Sequence, residues 1–197
     1  MVFDKQYFDC YCNGQPYKDT LDVHLMQYWK FCLSYAIAMK VSTSQAKHWL
    51  DTKSVLDAGC GMGHVVKDLC DHEVPAWGYD NSEYAIKNKI SDRVWLASHD
   101  DQLPRYPDNI FDIIFSNSFQ YCFNIDKILS WICQSYRVCA HSVLFMSVIQ
   151  DDLQESITEN LEDIQIIKSR EWWNQQFLTA GFKSFFWVGP MACVYFK

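Results

Sequence analysis

The chain has 197 residues, of which 49% are hydrophobic and 21% charged, and its net charge at pH 7 is −7. This composition predicts a globular chain with a substantial core and excludes a disordered one. The negative charge, with no dense basic run to offset it, argues against a nucleic acid as the main partner. Nine scattered cysteines and the lack of a long apolar run predict reduced thiols in a cytoplasmic protein without a membrane segment.

Residues 1–50 are predicted to form a helical and aromatic N-terminal cap, and residues 51–197 one folding unit. Apolar residues recur at helical intervals from Leu21 to Met39, which predicts an amphipathic helix. A shorter helix is predicted from Thr43 to Leu50, with Thr43 or Ser44 as its N-cap.

The most informative stretch is a short apolar run that ends in Asp57 and continues into alternating glycines at positions 59, 61 and 63. A strand that leads into a glycine turn and a helix N-terminus can hold a small ligand against the backbone, because glycine has no Cβ in the way. The third glycine comes one residue too early for the dinucleotide-binding pattern. Asp57 would repel a pyrophosphate but suits a ligand with an ammonium group.

Beyond this turn, helical and strand patterns alternate, which predicts an α/β fold. Gly189-Pro190 separates the last two predicted strands and favours an antiparallel pair. The predicted strands are 54–57, 76–80, 94–97, 111–117, 142–148, 184–188 and 192–196. The predicted helices are 64–72, one that begins after Asn81 or Ser82 as its cap, 125–138, and one that begins at the cap Ser169 and ends at Gly181.

Asp80 ends the second predicted strand, about twenty residues beyond the glycine turn, which is the position of a ribose-binding acid in nucleotide-binding α/β folds. A carboxylate accepts two hydrogen bonds, and the two hydroxyls of a ribose offer two donors in fixed geometry. The spacing therefore favours ribose binding by Asp80 over a role as an isolated surface acid.

The stretch from Asp57 to Gly63 resembles the first motif of the class I S-adenosylmethionine-dependent methyltransferases. Residues 80–86 resemble the second motif of that family, and the Pro-Asp-x-x-Phe-Asp pattern at 107–112 resembles its approach to the fourth strand. The resemblance covers most of residues 54–196. It implies a Rossmann-like doubly wound sheet, mostly parallel with a C-terminal antiparallel strand, a helical N-terminal extension, and S-adenosylmethionine as the cofactor.

In that family the glycine turn holds the methionine end of the cofactor, and an acid after the third strand meets the adenine. Here His99, Asp100 and Asp101 remain open for the adenine contact, with Asp100 favoured because a carboxylate accepts from the adenine amino group. The full set of predicted cofactor-binding residues is Asp57, Ala58, Gly59, Cys60, Gly61, Gly63, Asp80, Asn81, His99, Asp100, Asp101 and Ser116.

The resemblance implies methyl transfer, and the absence of an added nucleic-acid or protein-binding region favours a small-molecule acceptor. The N-terminal aromatics either lie over the cofactor cleft or simply cover the sheet edge. The predicted acceptor contacts are Tyr7, Tyr11, Tyr17, Asn117 and Phe119. No catalytic base is assigned, no metal is expected, and the pair Asp151-Asp152 is interpreted as solvated. The alternatives are an inactive methyltransferase fold that regulates a partner, and a nicotinamide-dependent oxidoreductase.

Overall fold

A computed structural model describes residue 5 and residues 27–98, 103–117, 124–147, 149–150 and 167–197. The chain divides into two compact units, one of residues 2–99 and one of residues 100–197 together with residue 1. Within the described residues, no helix has both the length and the apolar character needed to cross a membrane. The predicted division into a cap over residues 1–50 and a domain over 51–197 stays a prediction.

The first unit contains four described helices and three parallel strands. In chain order these are α1 (Gln27–Met39), α2 (Thr43–Leu50), β1 (Val55–Ala58), α3 (His64–Asp71), β2 (Ala76–Asp80), α4 (Glu83–Lys87) and β3 (Val94–Leu96). The strand order is β3-β2-β1. Every residue of β1 is buried, as expected for a strand in a parallel sheet. Because β1 and β2 run in the same direction, Asp57 and Asp80 come at the same edge of the sheet.

Tyr28 attaches α1 to the helices that follow it. Its backbone N–H donates to Asp68 Oδ2 at 2.7 Å, and its hydroxyl donates to Asp51 Oδ1 at 2.6 Å. The Tyr28 ring stacks on His72 with 4.2 Å between the ring centroids. Burial, and then the bond to Asp51, raise the pKa of Tyr28 to about 12. The structure confirms the predicted first helix over Gln27–Met39. The remainder of the prediction, residues 21–26, lies outside the described residues.

The N-cap of α2 is Ser42, so the prediction of Thr43 or Ser44 was wrong. Ser42 Oγ accepts from Gln45 N at 3.3 Å, and Gln45 Oε1 accepts in return from Ser42 N at 3.0 Å. This reciprocal capping box satisfies two donors at once, which a cap at Thr43 or Ser44 without the glutamine would not do. At α4 the cap is Ser82, one of the two predicted residues, and its hydroxyl accepts from Ala85 N at 3.1 Å.

The second unit contains two described α-helices and four strands. In chain order these are β4 (Phe111–Asn117), α5 (Ile125–Val138), β5 (Cys139–Met146), α6 (Arg170–Ala180), β6 (Ser184–Trp187) and β7 (Ala192–Phe196). The strand order is β4-β5-β7-β6, in which β4 and β5 are parallel and β7 is antiparallel to both of its neighbours. The predicted α/β fold, mostly parallel with a C-terminal antiparallel pair, is thereby confirmed.

The fifth strand begins earlier than predicted, at Cys139 instead of Ser142, and it ends at Met146. Helix α5 runs directly into it, with Cys139 N donating to the carbonyl of Ser135. The pairing with β4 steps from Phe111–Cys139 to Ile113–Ser142, so a bulge absorbs one extra residue of β5. Residues 139–141, which lie between the predicted helix and the predicted strand, therefore belong to β5.

Arg137, in the last turn of α5, bonds the chain that precedes β4. Its guanidinium donates to the carbonyls of Tyr106 and Leu103 at 2.8 and 2.9 Å and to Asp108 Oδ1 at 2.6 Å. We expect Arg137→Ala to lower the free energy of unfolding by about 1.5–3 kcal/mol, since hydrogen bonds from a charged donor are lost. Urea unfolding measures this loss, and exposed Lys183→Ala should change the value by less than about 0.5 kcal/mol. Equal effects of the two substitutions would contradict the assigned role of Arg137.

Candidate cofactor site

The backbone of the turn after β1 has a conformation that is unfavourable for residues with a side chain. Gly59, Gly61 and Gly63 have φ values of +82°, +54° and +89°. An L side chain is strained in this left-handed region, so the glycines meet a conformational requirement. Gly59 N and Cys60 N both donate to the carbonyl of Tyr79, at 2.9 and 3.1 Å. The turn is therefore hydrogen-bonded to the end of β2.

Asp80 connects the end of β2 to this glycine turn. Its Oδ2 accepts from Gly61 N at 2.8 Å, and its Oδ1 accepts from Ser82 N at 2.8 Å. The first bond joins residues 19 positions apart and brings the predicted ribose-binding acid into direct contact with the predicted methionine-binding turn. The two bonds fix the orientation of the carboxylate, because each oxygen has its own backbone donor.

One buried carboxyl group, Asp57, and one partly buried carboxyl group, Asp80, give the site its electrostatic character. Asp57 is only 2% exposed, and burial is the main reason why the pKa of its carboxyl lies well above the usual range. The nearby charge of Asp80 raises the pKa of Asp57 further. Burial also raises the pKa of Asp80, although backbone N–H groups of Ser82, Gly61 and Asn81 oppose that rise. A cationic ligand would favour ionisation of both acids.

These raised pKa values make a testable link between stability and pH. A carboxyl whose pKa is raised on folding holds its proton more tightly in the folded chain, so its contribution favours folding below the unfolded pKa of about 3.9. That contribution is lost as pH rises through the folded pKa, with a slope of up to about 1.4 kcal/mol per pH unit for one proton. We therefore expect the contribution of Asp57 and Asp80 to the stability of the ligand-free protein to fall as pH rises above about 4.

The Asp57→Asn variant removes one of these titrating groups. We expect its urea unfolding free energy, relative to that of the wild type, to increase as the pH rises above the unfolded carboxyl pKa of about 3.9, because only the wild type must bury a developing charge. A constant difference between the two proteins over this range would show that Asp57 does not titrate there.

In the second unit, Ser116 and Asn117 end β4. Ser116 is fully buried, and within the described part of the chain its hydroxyl has no hydrogen-bond partner. Asn117 is exposed and pairs with Met146 of β5. A buried hydroxyl without a partner costs free energy, so Ser116 is available to a polar group of a ligand or to water.

The structure thus brings the predicted residues of the first unit together at the ends of β1 and β2. The remaining predicted contacts lie outside the described residues and stay predictions; they are Tyr7, Tyr11, Tyr17, His99, Asp100, Asp101 and Phe119. The acidic pair Asp151-Asp152 also lies outside them. In the parts of the chain that are described, no group of three or more histidine, cysteine or acidic side chains is placed to hold a metal ion.

Sequence reasoning missed one residue of this site, Gly78. It lies in the interior of β2 and pairs with Asp57 of β1. The side chain of Cys60, from the glycine turn, packs against it. The available signal was the glycine itself, since a glycine inside a strand pattern indicates a close approach of other atoms.

Comparison with known proteins agrees with the fold. Residues 56–146 match the family model described as a methyltransferase domain. A search of curated proteins gave no match. The solved structures with similar folds include a SAM-dependent methyltransferase from Archaeoglobus fulgidus, with a TM-score of 0.64 and 16% identity over 80% of this chain and 76% of its own.

Two further structures extend this likeness. A methyltransferase of Haloferax volcanii, in complex with the Trm112 methyltransferase activator, has a TM-score of 0.62 and 16% identity over 86% of this chain and 74% of its own. Human N-acetylserotonin methyltransferase, in complex with SAM, has a TM-score of 0.61 and 12% identity over 92% of this chain and 53% of its own.

The fold and the strand–glycine turn–helix unit define a Rossmann-like methyltransferase domain. Residues 56–146 are thus similar to a methyltransferase domain, and the fold is similar to that of solved S-adenosylmethionine-dependent methyltransferases, which agrees with the resemblance found in the sequence. The cofactor of this class is S-adenosylmethionine.

Proposed function

We propose that this protein binds S-adenosylmethionine at the glycine turn and transfers its methyl group to a small-molecule acceptor. The observation that carries the proposal is the Gly61 N–H bond to Asp80, which brings the turn and the acid of β2 together beside buried Asp57. The matched family and the fold support the same activity.

The chemistry of the described residues fits this cofactor. The three glycines have no Cβ to shield the backbone of the turn, and the N-terminus of α3 follows, whose partial positive charge suits a carboxylate. The carboxylate of Asp57, at the end of β1, would neutralise the positive charge of an ammonium group. Asp80 already accepts one backbone bond on each oxygen, and each oxygen has a second lone pair for a ribose hydroxyl.

S-adenosylmethionine supplies an activated methyl on a sulfonium, whose leaving group is a neutral thioether. The protein's main task is then to bind and orient the cofactor and the acceptor and to exclude water. Positioning alone can lower a barrier by about 7–11 kcal/mol in well-oriented cases. This is why a methyltransferase does not require a dedicated base. We assign none, and we propose Ser116 and Asn117 at the end of β4 as contacts for cofactor and acceptor, respectively.

The acceptor class is proposed from charge. The chain carries a net charge of −7, which opposes binding to a phosphate backbone. This favours a small metabolite over a nucleic acid, and the N-terminal aromatics at Tyr7, Tyr11 and Tyr17 stay the proposed acceptor contacts.

Two measurements test the proposal. Calorimetry with S-adenosylmethionine should show binding to the wild type and none to Gly59→Val, because a β-branched side chain at a φ of +82° distorts the turn. Release of S-adenosylhomocysteine with a panel of small-molecule acceptors then tests for transfer. Binding without release for any acceptor would favour a regulatory binder, whereas a melting shift with NAD in place of S-adenosylmethionine would overturn the cofactor assignment.

A further inference from the structure

Gly78 occupies a position in β2 at which any side chain would collide with the glycine turn and the helix after it. A Cβ built on Gly78 would lie 2.7 Å from Cys60 Cβ, 2.8 Å from Cys60 Sγ and 2.9 Å from Val66 Cγ2. These separations are shorter than van der Waals contacts, and the closest of them is to a Cβ that moves only with its backbone. The space above Gly78 is therefore filled by the side chain of Cys60.

Cys60 belongs to the glycine turn, where its backbone N–H is hydrogen-bonded and its side chain is buried. Its N–H donates to the carbonyl of Tyr79 at 3.1 Å, and the residue is only 5% exposed. Val66, in the first turns of α3, is fully buried against the same glycine. One missing side chain on β2 thus allows both the turn and the helix N-terminus to approach the strand.

The approach of the turn determines the geometry of the next contact along the chain. Gly61, adjacent to Cys60, donates to Asp80, two residues beyond Gly78 on the same strand, at 2.8 Å. A hydrogen bond of this length weakens when its atoms separate by a few tenths of an ångström. If Cys60 is pushed away from β2, Gly61 N moves away from Asp80 Oδ2.

We propose that Gly78 is a positioning residue for the cofactor site: it sets the distance of the glycine turn from β2 and thereby aligns the turn with Asp80. This inference rests on the proposed function, because it concerns the affinity of the same turn for S-adenosylmethionine. Gly78 itself does not touch the cofactor; it acts through Cys60.

The experiment compares two added methyl groups. Gly78→Ala should weaken S-adenosylmethionine binding, measured by calorimetry, at least tenfold. Gly189→Ala is the matched control, since no heavy atom lies within 4 Å of a Cβ built there, and its affinity should equal that of the wild type. The double variant Cys60→Gly with Gly78→Ala removes the colliding Cβ and Sγ, so it should recover part of the affinity lost in Gly78→Ala.

A purely structural role would lower stability without a specific effect on the site. Val74→Ala, a change at a fully buried core position of the same unit, provides a variant destabilised elsewhere. Gly78→Ala should lose more affinity than Val74→Ala when both are measured well below their melting temperatures. Equal affinities in Gly78→Ala and the wild type, or equal losses in Gly78→Ala and Val74→Ala, would overturn the inference.

Amide hydrogen exchange separates this inference from the proposed function, because it needs no ligand. The Gly61 amide should exchange at least tenfold faster in Gly78→Ala than in the wild type, while Gly189→Ala leaves it unchanged. If the wild type fails to bind S-adenosylmethionine, the proposed function fails, yet faster Gly61 exchange would still support the role of Gly78 in aligning the turn. Unchanged exchange at Gly61 would overturn that role whatever the ligand.

Discussion

Asp80→Ala is expected to weaken S-adenosylmethionine binding by about 10- to 100-fold, or roughly 1.4–2.8 kcal/mol. The substitution removes the charged acceptor for the ribose hydroxyls, and it also removes the acceptor for Gly61 N–H in the glycine turn. Both losses act on the same ligand, so the effect should exceed that of an ordinary polar contact. Calorimetric titration gives the dissociation constants of the two proteins.

Two further variants define what Asp80 contributes. Asp80→Asn keeps an oxygen for the Ser82 N–H but loses the charge and the second acceptor oxygen, so its affinity should lie between those of the wild type and the alanine variant. Asp92→Ala removes an exposed acid from the same unit and should leave the affinity unchanged. Wild-type affinity in Asp80→Ala would show that this acid does not bind the ribose.

A substitution in the core of the second unit is expected to lower the stability of the fold strongly. Phe145 of β5 is fully buried, and its ring centroid lies 4.6 Å from that of Trp173 and 5.4 Å from that of Phe177, both on α6. We expect Phe145→Ala to lower the free energy of unfolding by about 3–5 kcal/mol, because it removes a buried ring and leaves a cavity between the strand and the helix. Urea denaturation with a fixed slope measures the change.

Phe185 of β6 is the matched control for Phe145. It is also a strand phenylalanine of the second unit, but it is 37% exposed and has 6.0 Å between its ring centroid and that of Tyr195. Phe185→Ala should therefore cost only about 1 kcal/mol. If the two alanine variants have similar stabilities, the core does not lie where the structure puts it.

Much of the fold follows from patterns that act over a few residues. The apolar spacing of α1, the Ser169 cap and the Gly181 termination of α6 are local signals, and each is confirmed. The early start of β5 is different, because it depends on a bulge in the pairing with β4. Pairing between distant strands has no signature in the residues of one strand, so the sequence predicted that β5 begins three residues later than it does.

The candidate site shows the same division between local and long-range information. Motif spacing put the glycine turn and Asp80 in one predicted site, and in the structure Gly61 N–H donates to Asp80. The spacing did not predict the burial that raises the pKa of Asp57, nor the contact of Cys60 with Gly78. Burial and contact depend on how β1, β2 and α3 pack, which the residues of the motif alone do not specify.

The order of the last two strands has a consequence for local opening. Among the described strands, β6 adjoins only β7, whereas β7 is hydrogen-bonded on one side to β5 and on the other to β6. Fluctuations that release β6 can leave β7 in place, but any opening that frees β7 from both neighbours also frees β6. Native-state isotope labelling should therefore find slower-exchanging amides in β7 than in β6, although β6 precedes it in the chain.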